Sequence, residues 1–430
     1  MPLITGNGYL DLLADDPVAQ RALMACAAAL RLDDESASDA IEIVAEANGR
    51  TRELLHEVKN LGCVWTQWDG AWYLSEKVRK ELVIELHRQV PNEVISKLRG
   101  RLADRADERA ADMPADGQIT DHRLRAALIE AGYQRTMSPQ QNAKGGEQLG
   151  AVWEGASPTA GEATALTVDY LAPEIEKYVG QVPVQVLFLR GMAARVRGDR
   201  PNQEKYFRAV WERGSKGYLF AVAAHLFGNL ERNKTRAEKA FKDSLRWHSA
   251  PSHQAQVWHS LGNLLAKDRA RWQDAEAAYH KSLELDPLAS GKAQVWHSLG
   301  NLLTKNRARW QDAEGAYDKS IELWPNREHE AHVGASYANL LSKYGDREAD
   351  DRAEKVALSS LENDAGNPWT NGVCYRVLAD IYERRGDNHG AINALQSLME
   401  TNRKLGKPRF GQEILDRIAR LRRSERGTLG

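Results

Sequence analysis

Cysteine is scarce in this chain of 430 residues, which has three: Cys26, Cys63 and Cys374. They lie far apart, and none belongs to a Cys-x-x-Cys pair. Disulfide frameworks and zinc knuckles both need several cysteines at short spacings. The sequence therefore argues against both, and such sparse cysteine is typical of a protein in a reducing cytoplasm.

Long apolar runs and an excess of charge are also lacking. No run of about 18 apolar residues, the length that a membrane-spanning helix needs, occurs in the chain. The first residues, MPLITGNGYLDLLADD, contain no basic segment followed by a long apolar one, as a secretory signal would. The 59 basic and 60 acidic residues nearly balance, which argues against a general polyanion binder. We expect a cytoplasmic protein that does not contact membranes.

Motifs of common catalytic sites are missing as well. The chain has no GxxxxGK[ST] phosphate loop, no GxSxG nucleophile motif and no HExxH zinc motif. Its closest histidine pair, His329 and His332, lacks a matched set of carboxylates, and we expect both to be solvated helix residues. The sequence predicts no enzyme activity, no cofactor and no metal site.

What the chain does contain is a long internal repeat. Residues 255–287 recur almost unchanged as residues 293–325, a period of 38 residues. Each copy has Trp, Leu-Gly, Ala, an aromatic residue and Pro in the same order. A period of 20–50 residues is typical of stacked supersecondary units. The order resembles the tetratricopeptide repeat, in which two helices cross at small residues and surround them with large ones.

Weaker copies flank the two clear ones, and the resemblance implies an extended stack. We predict a mainly all-α protein in which residues 164–407 form a right-handed α-solenoid of about six tetratricopeptide-like helix pairs. Residues 408–424 would form a helix that caps the last pair, as an open-ended stack requires. The tryptophans of the two clear copies are predicted to pack in the core; they are Trp258, Trp272, Trp296 and Trp310.

Residues 10–90 follow a different pattern, with three amphipathic helices and then two short β-prone runs. The runs flank Asp69-Gly70, a dipeptide typical of hairpin turns. This order predicts a winged-helix domain. It resembles the winged helix of bacterial signal-transduction ATPases with numerous domains (the STAND class), where an aromatic pair such as Trp72-Tyr73 leads into a charged helix. The resemblance implies a signalling role without ATP hydrolysis, because the phosphate loop is missing.

Charge tests whether this domain binds DNA. Residues 11–100 contain 11 basic and 16 acidic residues, a net charge of −5. The candidate recognition helix itself carries Glu53 and Glu57. Phosphate neutralisation supplies most non-specific DNA affinity, so the sequence disfavours DNA as a partner. A winged-helix transcription regulator with the repeats as its sensor domain is the alternative hypothesis.

Two segments connect these regions. Residues 91–133 are charged and helical in pattern, which predicts a helical stalk. Residues 134–163 are rich in Gly, Ser, Pro, Gln and Ala, which predicts a flexible loop or linker. As an alternative, this second stretch is a docking or cleavage segment around Trp153.

A polar stripe in the repeats is the candidate binding site. In the first helix of each central copy, residues such as Trp258 and Leu261 are predicted to face the core. A series that begins one residue after Trp258 and recurs every four residues should therefore lie on another face of the helix. The stripe consists of His259, Asn263, Lys267, His297, Asn301, Lys305, Asn339 and Lys343. The family resemblance implies that this face lines a groove, where Asn holds a peptide backbone and Lys meets its carboxylates. Alternatively, these asparagines are merely solvent-facing, or the copies reflect a recent duplication.

These observations favour a non-catalytic adaptor that binds another protein or an extended peptide segment in the repeat groove. The winged helix would be a second docking module. The STAND resemblance implies a role in bacterial signalling or defence.

Overall fold

The computed structural model describes residues 4–67, 70–113, 119, 121–214, 216–247, 250–286, 288–344, 347–363, 366–406 and 411–427. Within them the chain has an all-α repeat fold with one two-stranded hairpin, which confirms the predicted fold class. The chain divides into two compact units, unit 1 (Met1–Arg232) and unit 2 (Asn233–Gly430). This division falls inside the region that we predicted as one repeat array.

Unit 1 is built from helices whose starts are set by local caps. Asp16, for example, accepts hydrogen bonds from the backbone N–H groups of Val18 and Ala19 at 3.0 Å, and Pro17 opens the helix. The helices are α1 (Gly6–Leu12), α2 (Pro17–Ala27), α3 (Asp34–Ala45), α4 (Thr51–Lys59), α5 (Glu76–Gln89), α6 (Asn92–Ala111), α7 (His122–Thr136), α8 (Asn142–Glu154), α9 (Pro158–Tyr178), α10 (Val184–Val196), α11 (Arg200–Glu212) and α12 (Tyr218–Leu230).

The hairpin lies between α4 and α5. Its strands are β1 (Val64–Thr66) and β2 (Trp72–Leu74), paired antiparallel. Gly70 has φ +82°, a conformation that favours glycine in a tight turn, whereas its predicted turn partner Asp69 lies outside the described residues. Four helices precede the hairpin, of which α2, α3 and α4 correspond to the three predicted ones, and the winged-helix assignment stays a prediction.

The predicted linker at 134–163 is wrong, because most of it is helical. Helix α8 occupies its middle and packs against α7, whose last turn reaches Thr136. Gly145, one of the glycines that suggested flexibility, and Gly132 of α7 sit where the two helices cross. A Cβ on Gly132 would lie 2.8 Å from Leu149 Cγ, and one on Gly145 would meet the backbone of α7. Tight helix crossings and linkers both favour glycine, so composition alone does not separate them.

The predicted stalk at 91–133 also needs correction. Helix α6 packs on α3 and on α7, and several of its side chains are buried, Leu98 and Leu102 among them. Arg105 of α6 pairs with Asp39 in the middle of α3 at 2.6 Å, and Arg109 pairs with Asp33 at the start of α3. Described residues of this segment therefore belong to the body of unit 1.

Unit 2 contains regular helix pairs. Helices α14 and α15, α16 and α17, α18 and α19, and α20 and α21 pack as antiparallel neighbours in sequence. The helices are α13 (Lys234–Trp247), α14 (Pro251–Leu265), α15 (Trp272–Leu285), α16 (Ala289–Leu303), α17 (Trp310–Leu323), α18 (Arg327–Tyr344), α19 (Arg347–Asn363), α20 (Pro368–Arg385), α21 (Asn388–Lys404) and α22 (Gly411–Gly427). Short 3₁₀ turns at Arg269–Arg271 and Arg307–Arg309 precede α15 and α17.

Small residues let the helices of each central pair approach closely. A Cβ on Gly262 or Gly300 would lie 2.6 Å from the ring of Tyr279 or Tyr317, respectively. Both tyrosines are almost fully buried in the unit 2 core, and the four repeat tryptophans pack against the same core. The predicted core role of these tryptophans is therefore confirmed.

A series of ion pairs joins each helix pair to the one before it. In every case an arginine reaches a glutamate of an earlier helix in the chain. The pairs are Arg271–Glu238, Arg309–Glu276, Arg352–Glu314, Arg385–Glu354 and Arg417–Glu383. These side chains are partly exposed, so each pair is worth about 0–1 kcal/mol. The series contributes more to the register between pairs than to stability.

Helix α22 covers part of the predicted capping segment 408–424, whose first residues, 408–410, lie outside the described residues. Ile414 and Ile418 are buried in the unit 2 core. Arg417 on the same helix pairs with α20 through Asp380 at 2.6 Å and through Glu383. This placement follows the amphipathic pattern of the segment.

Candidate functional site

The predicted asparagines lie on successive first helices of unit 2. Asn263 is on α14, Asn301 on α16 and Asn339 on α18, and all three are exposed. A lysine follows each of them by four residues and is also exposed. We call this surface the amide face; it consists of Asn263, Lys267, Asn301, Lys305, Asn339 and Lys343. Because the sequence period is kept in the helices, one amide and one ammonium group recur in each repeat.

Tyrosines of the second helices hold two of these amides. Tyr279 Oη donates to Asn263 Oδ1 at 2.8 Å, and Tyr317 Oη donates to Asn301 Oδ1 at 2.9 Å. Burial raises the pKa of both phenols, so they remain protonated donors. No described residue accepts a hydrogen bond from the Nδ2 group of Asn263 or Asn301. Each amide is thus anchored through its oxygen and keeps N–H donors for a ligand.

The lysines of the amide face differ in their contacts. Lys305 Nζ donates to the backbone oxygen of Ala266 at 2.6 Å, and it lies 5.5 Å from the ring centre of Trp272. Partial burial lowers the pKa of Lys305. Lys267 makes no side-chain hydrogen bond or ion pair with any described residue. Lys305 therefore links two repeats, while Lys267 offers its ammonium group to solvent.

The two histidines predicted for the stripe are not on the exposed face. His297 is 9% exposed and His259 is partly buried. Their Nε2 atoms make hydrogen bonds with serine hydroxyls of the next repeat, His259 with Ser298 at 2.8 Å and His297 with Ser336 at 3.0 Å. Each four-residue step rotates about 40° beyond a full helical turn. A stripe that starts between the repeats therefore emerges at the surface only at its asparagine.

Burial keeps these two histidines neutral. It lowers the pKa of His259 to about 4 and, together with the neighbouring His332 and His329, that of His297 to about 3. Each ring also lies about 6 Å from the tyrosine that anchors the adjacent asparagine, 5.9 Å for His259 and Tyr279. The histidines support the amide face from beneath.

One depression lies on the amide face, and a second lies beside it. The smaller, of about 190 Å³, is lined by both anchored asparagines and the lysines that follow them. The larger, of about 750 Å³, is lined by His259, His297, Trp324 and neighbouring polar side chains. Ser298 lines both of them. The two depressions therefore adjoin each other.

The expectation that His329 and His332 are solvated is wrong. His329 is 8% exposed, and its Nε2 lies 3.0 Å from Ser320 Oγ. His332 packs against the ring of Trp369, with 4.4 Å between ring centres. Both lie in the first turns of α18 and line the larger depression, which the helical pattern does not reveal.

Other types of site are absent from the part of the chain that the structure describes. No group of three or more His, Cys, Asp or Glu side chains in that part is placed to hold a metal ion. No helix described there is long and apolar enough to cross a bilayer. All three cysteines are buried, and burial raises the pKa of the Cys26 and Cys374 thiols to about 12.

Sequence reasoning missed the residues that organise the amide face. Tyr279 and Tyr317 were recognised as repeat positions without their hydrogen bonds to asparagine, and Ser298 and Ser336 were not recognised. The sequence did contain a signal for them. In both clear copies, Tyr follows the stripe asparagine by 16 residues, and Ser directly follows the stripe histidine. Polar residues that recur at core-facing positions in both copies indicate hydrogen bonds within or between the repeats.

Comparisons with known proteins point to the repeat. Residues 375–409 match the family model of the tetratricopeptide repeat, within helices α20 and α21 and the residues that follow. The predicted resemblance is confirmed for that stretch. No curated protein sequence matches the chain.

Several solved structures resemble the chain distantly. The C-terminal part of a tetratricopeptide-repeat protein from Cytophaga hutchinsonii is 14% identical, with 56% of this chain and 90% of that chain covered and a TM-score of 0.37. The TPR2AB domain of yeast Sti1 in complex with pHSP90 is 13% identical (55% and 98% covered, TM-score 0.25). The APC/C heterotetramer Cut9–Hcn1 is 12% identical (96% and 74% covered, TM-score 0.46). At these scores the likenesses carry no argument about the geometry or partners of this chain.

Proposed function

We propose that this chain is a non-catalytic adaptor whose amide face binds an extended, acidic segment of a partner protein. The observation that carries the proposal is the anchoring of Asn263 and Asn301 by buried tyrosines. An amide held through its oxygen presents N–H donors in a fixed place, at little entropic cost on binding. Backbone carbonyl oxygens of an extended chain are the complementary acceptors.

The lysines give this face its charge preference. Lys267, Lys305 and Lys343 are exposed on it, and Glu328 is the acidic residue among those that line the two depressions. Carboxylates of a bound segment would pair with these ammonium groups, most strongly where water is partly excluded. An acidic segment therefore fits this surface better than a basic one.

Replacing Asn263, Asn301 and Asn339 together with Ala is expected to weaken binding of an acidic peptide about tenfold or more. Each lost hydrogen bond is worth about 0.5–1.5 kcal/mol, and three act together. The measurement is fluorescence anisotropy with a labelled library of acidic peptides, ranked against the same peptides with Asn and Gln in place of Asp and Glu.

The matched control is the double variant Gln273→Ala, Gln311→Ala. These amides are exposed on the second helices α15 and α17, away from the amide face. They should leave affinity unchanged. A further variant, Tyr317→Phe, keeps the ring and removes only the hydroxyl that anchors Asn301, so it should weaken binding less than the triple change. Equal affinity of the wild type and the triple variant would remove this site assignment.

The hairpin of unit 1 supports a second docking role. Trp65 and Tyr73 are direct cross-strand partners, and they are 59% and 36% exposed. Exposed aromatic pairs of this kind are typical anchors of protein–protein contacts. We propose that this pair contacts a protein within a bacterial signalling or defence system, as the STAND resemblance implies.

The alternative role in transcription makes an opposite prediction. The neighbouring helix α4 exposes Glu53, and Arg50 is paired with both Asp16 and Glu53. We expect no retardation of a duplex DNA fragment in a gel shift at low salt, where phosphate contacts are strongest. Retardation that disappears with added salt would favour the transcription regulator instead.

A further inference from the structure

A small cavity in unit 1 gathers positive charge. It has a volume of about 250 Å³ and lies between the residues after α2, the end of α6, the start of α7 and the middle of α9. The guanidinium-bearing residues Arg31, Arg109 and Arg125 line it, together with His122 and Thr167. The amide face has no part in it.

Arg125 is the informative member of this group. It lies one turn into α7 and is partly buried, yet it makes no side-chain hydrogen bond or ion pair with any described residue. A guanidinium group has five N–H donors and stays charged at all ordinary pH values. Arg125 is thus a half-buried cation that lines a cavity and has no hydrogen-bond acceptor among the described residues. A bound anion would supply that acceptor.

Arg109 is only partly neutralised. Its side-chain hydrogen bonds with described residues both go through Nη1, to Asp33 Oδ2 at 2.9 Å and to Ser36 Oγ at 2.7 Å. Asp33 is the N-cap of α3 and also accepts from the backbone N–H of Ser36 at 2.7 Å. Its carboxylate is therefore shared between a helix cap and the arginine, and it does not line the cavity.

Glu130 is the acid among the described residues that line the cavity. Its carboxylate accepts from the backbone N–H of Leu30 at 3.1 Å and from Gln134 Nε2 at 2.6 Å. Burial raises the pKa of Glu130. Asp121, at the start of α7, caps the N–H groups of Arg123 and Leu124. Neither carboxylate pairs with Arg125.

We infer that this cavity binds a small phosphate-bearing anion. Arginine forks match the oxygens of phosphate bidentately. Pockets for drug-sized ligands measure about 300–1,000 Å³, so a cavity of about 250 Å³ suits a phosphate or pyrophosphate group better than a larger ligand. The near balance of charge over the whole chain hides this local excess.

The test uses inorganic pyrophosphate on the full chain, titrated by calorimetry at constant ionic strength. Saturable binding is expected for the wild type, with a parallel rise in thermal stability. Arg125→Gln should weaken binding about tenfold or more, since it removes a charge-assisted fork. Glu130→Gln should tighten binding, because it removes the carboxylate that repels the anion.

The control variant is Arg52→Gln on α4, which lowers the net charge by the same amount as Arg125→Gln. Arg52 is exposed, and its side chain makes no hydrogen bond or ion pair with a described residue. It should bind as the wild type does. A phosphoserine peptide and its unphosphorylated form, titrated in parallel, separate a free anion from a phosphorylated partner. Absence of saturable binding for both probes, or equal affinity of the wild type and Arg125→Gln, would overturn the inference.

Discussion

Gly300→Ala is expected to lower the free energy of unfolding of unit 2 by about 2 kcal/mol, within the range of about 1–3 kcal/mol for overpacking a core. The added methyl group would lie 2.6 Å from Tyr317 Cε1, closer than van der Waals contact allows. Tyr317 has little room to move, because it is 1% exposed and its hydroxyl is bonded to Asn301. The substitution should therefore separate α16 from α17 and also disturb the amide face.

The chain offers a matched control for this prediction. Gly315 lies on α17, where an added Cβ meets no atom within 4 Å, and its counterpart in the preceding copy is Ala277. Gly315→Ala should stabilise the helix by up to about 1 kcal/mol. Amide hydrogen exchange of peptides from α16 and α17 measures both effects locally. Equal protection in the Gly300→Ala variant and the wild type would show that the two helices do not cross at this glycine.

Acid is expected to destabilise unit 2 as the pH falls from about 6.5 to about 4. His259 and His297 have an ordinary pKa of 6.5, and in the folded chain their pKa values fall to about 4 and about 3. Above pH 6.5 both states are neutral and the histidines contribute no pH dependence. Below it the unfolded chain binds protons that the folded chain does not, so stability falls by about 1.4 kcal/mol per pH unit for each histidine.

The groups around the two rings set this direction. Asp286 favours the protonated form of His259, but burial outweighs it. His332 and His329 oppose a charge on His297. The urea midpoint, followed by tryptophan fluorescence across this pH range, measures the effect in the full chain.

The double variant His259→Gln, His297→Gln isolates the histidine contribution. Each glutamine amide can still donate to the serine of the next repeat, while it does not titrate. Its urea midpoint should change much less with pH than that of the wild type. If the two pH profiles coincide, the histidines are not responsible for acid sensitivity.

The stripe in α14 and α16 shows how far sequence patterns reach. Its asparagines and lysines are exposed as expected, because they lie opposite core residues such as Leu261 and Leu299. The histidines at the same spacing are covered by the next repeat. Helical periodicity gives the angle of a side chain around its own helix, but it carries no information on where the neighbouring helix pair begins.

The segment 134–163 shows a second limit. Gly145, Gly146 and Gly150 gave it the composition of a linker, yet they lie in α8, and a Cβ on any of them would crowd an adjoining helix. The sequence does not distinguish a glycine that is needed where two helices approach closely from a glycine that is tolerated in a loop. Only the partner surface distinguishes them.

By itself, the sequence determined that the chain is built from helix pairs. Each copy of the 38-residue period contains Leu-Gly and an aromatic residue, a pattern typical of helix pairs in which each pair buries its apolar face on the next. Tertiary structure alone decided which polar side chains remain available to a ligand. Asn263 is exposed and hydrogen-bonded to Tyr279, whereas His259 is partly buried and hydrogen-bonded to Ser298. The reason is that availability depends on the neighbouring surface, which no single helix encodes.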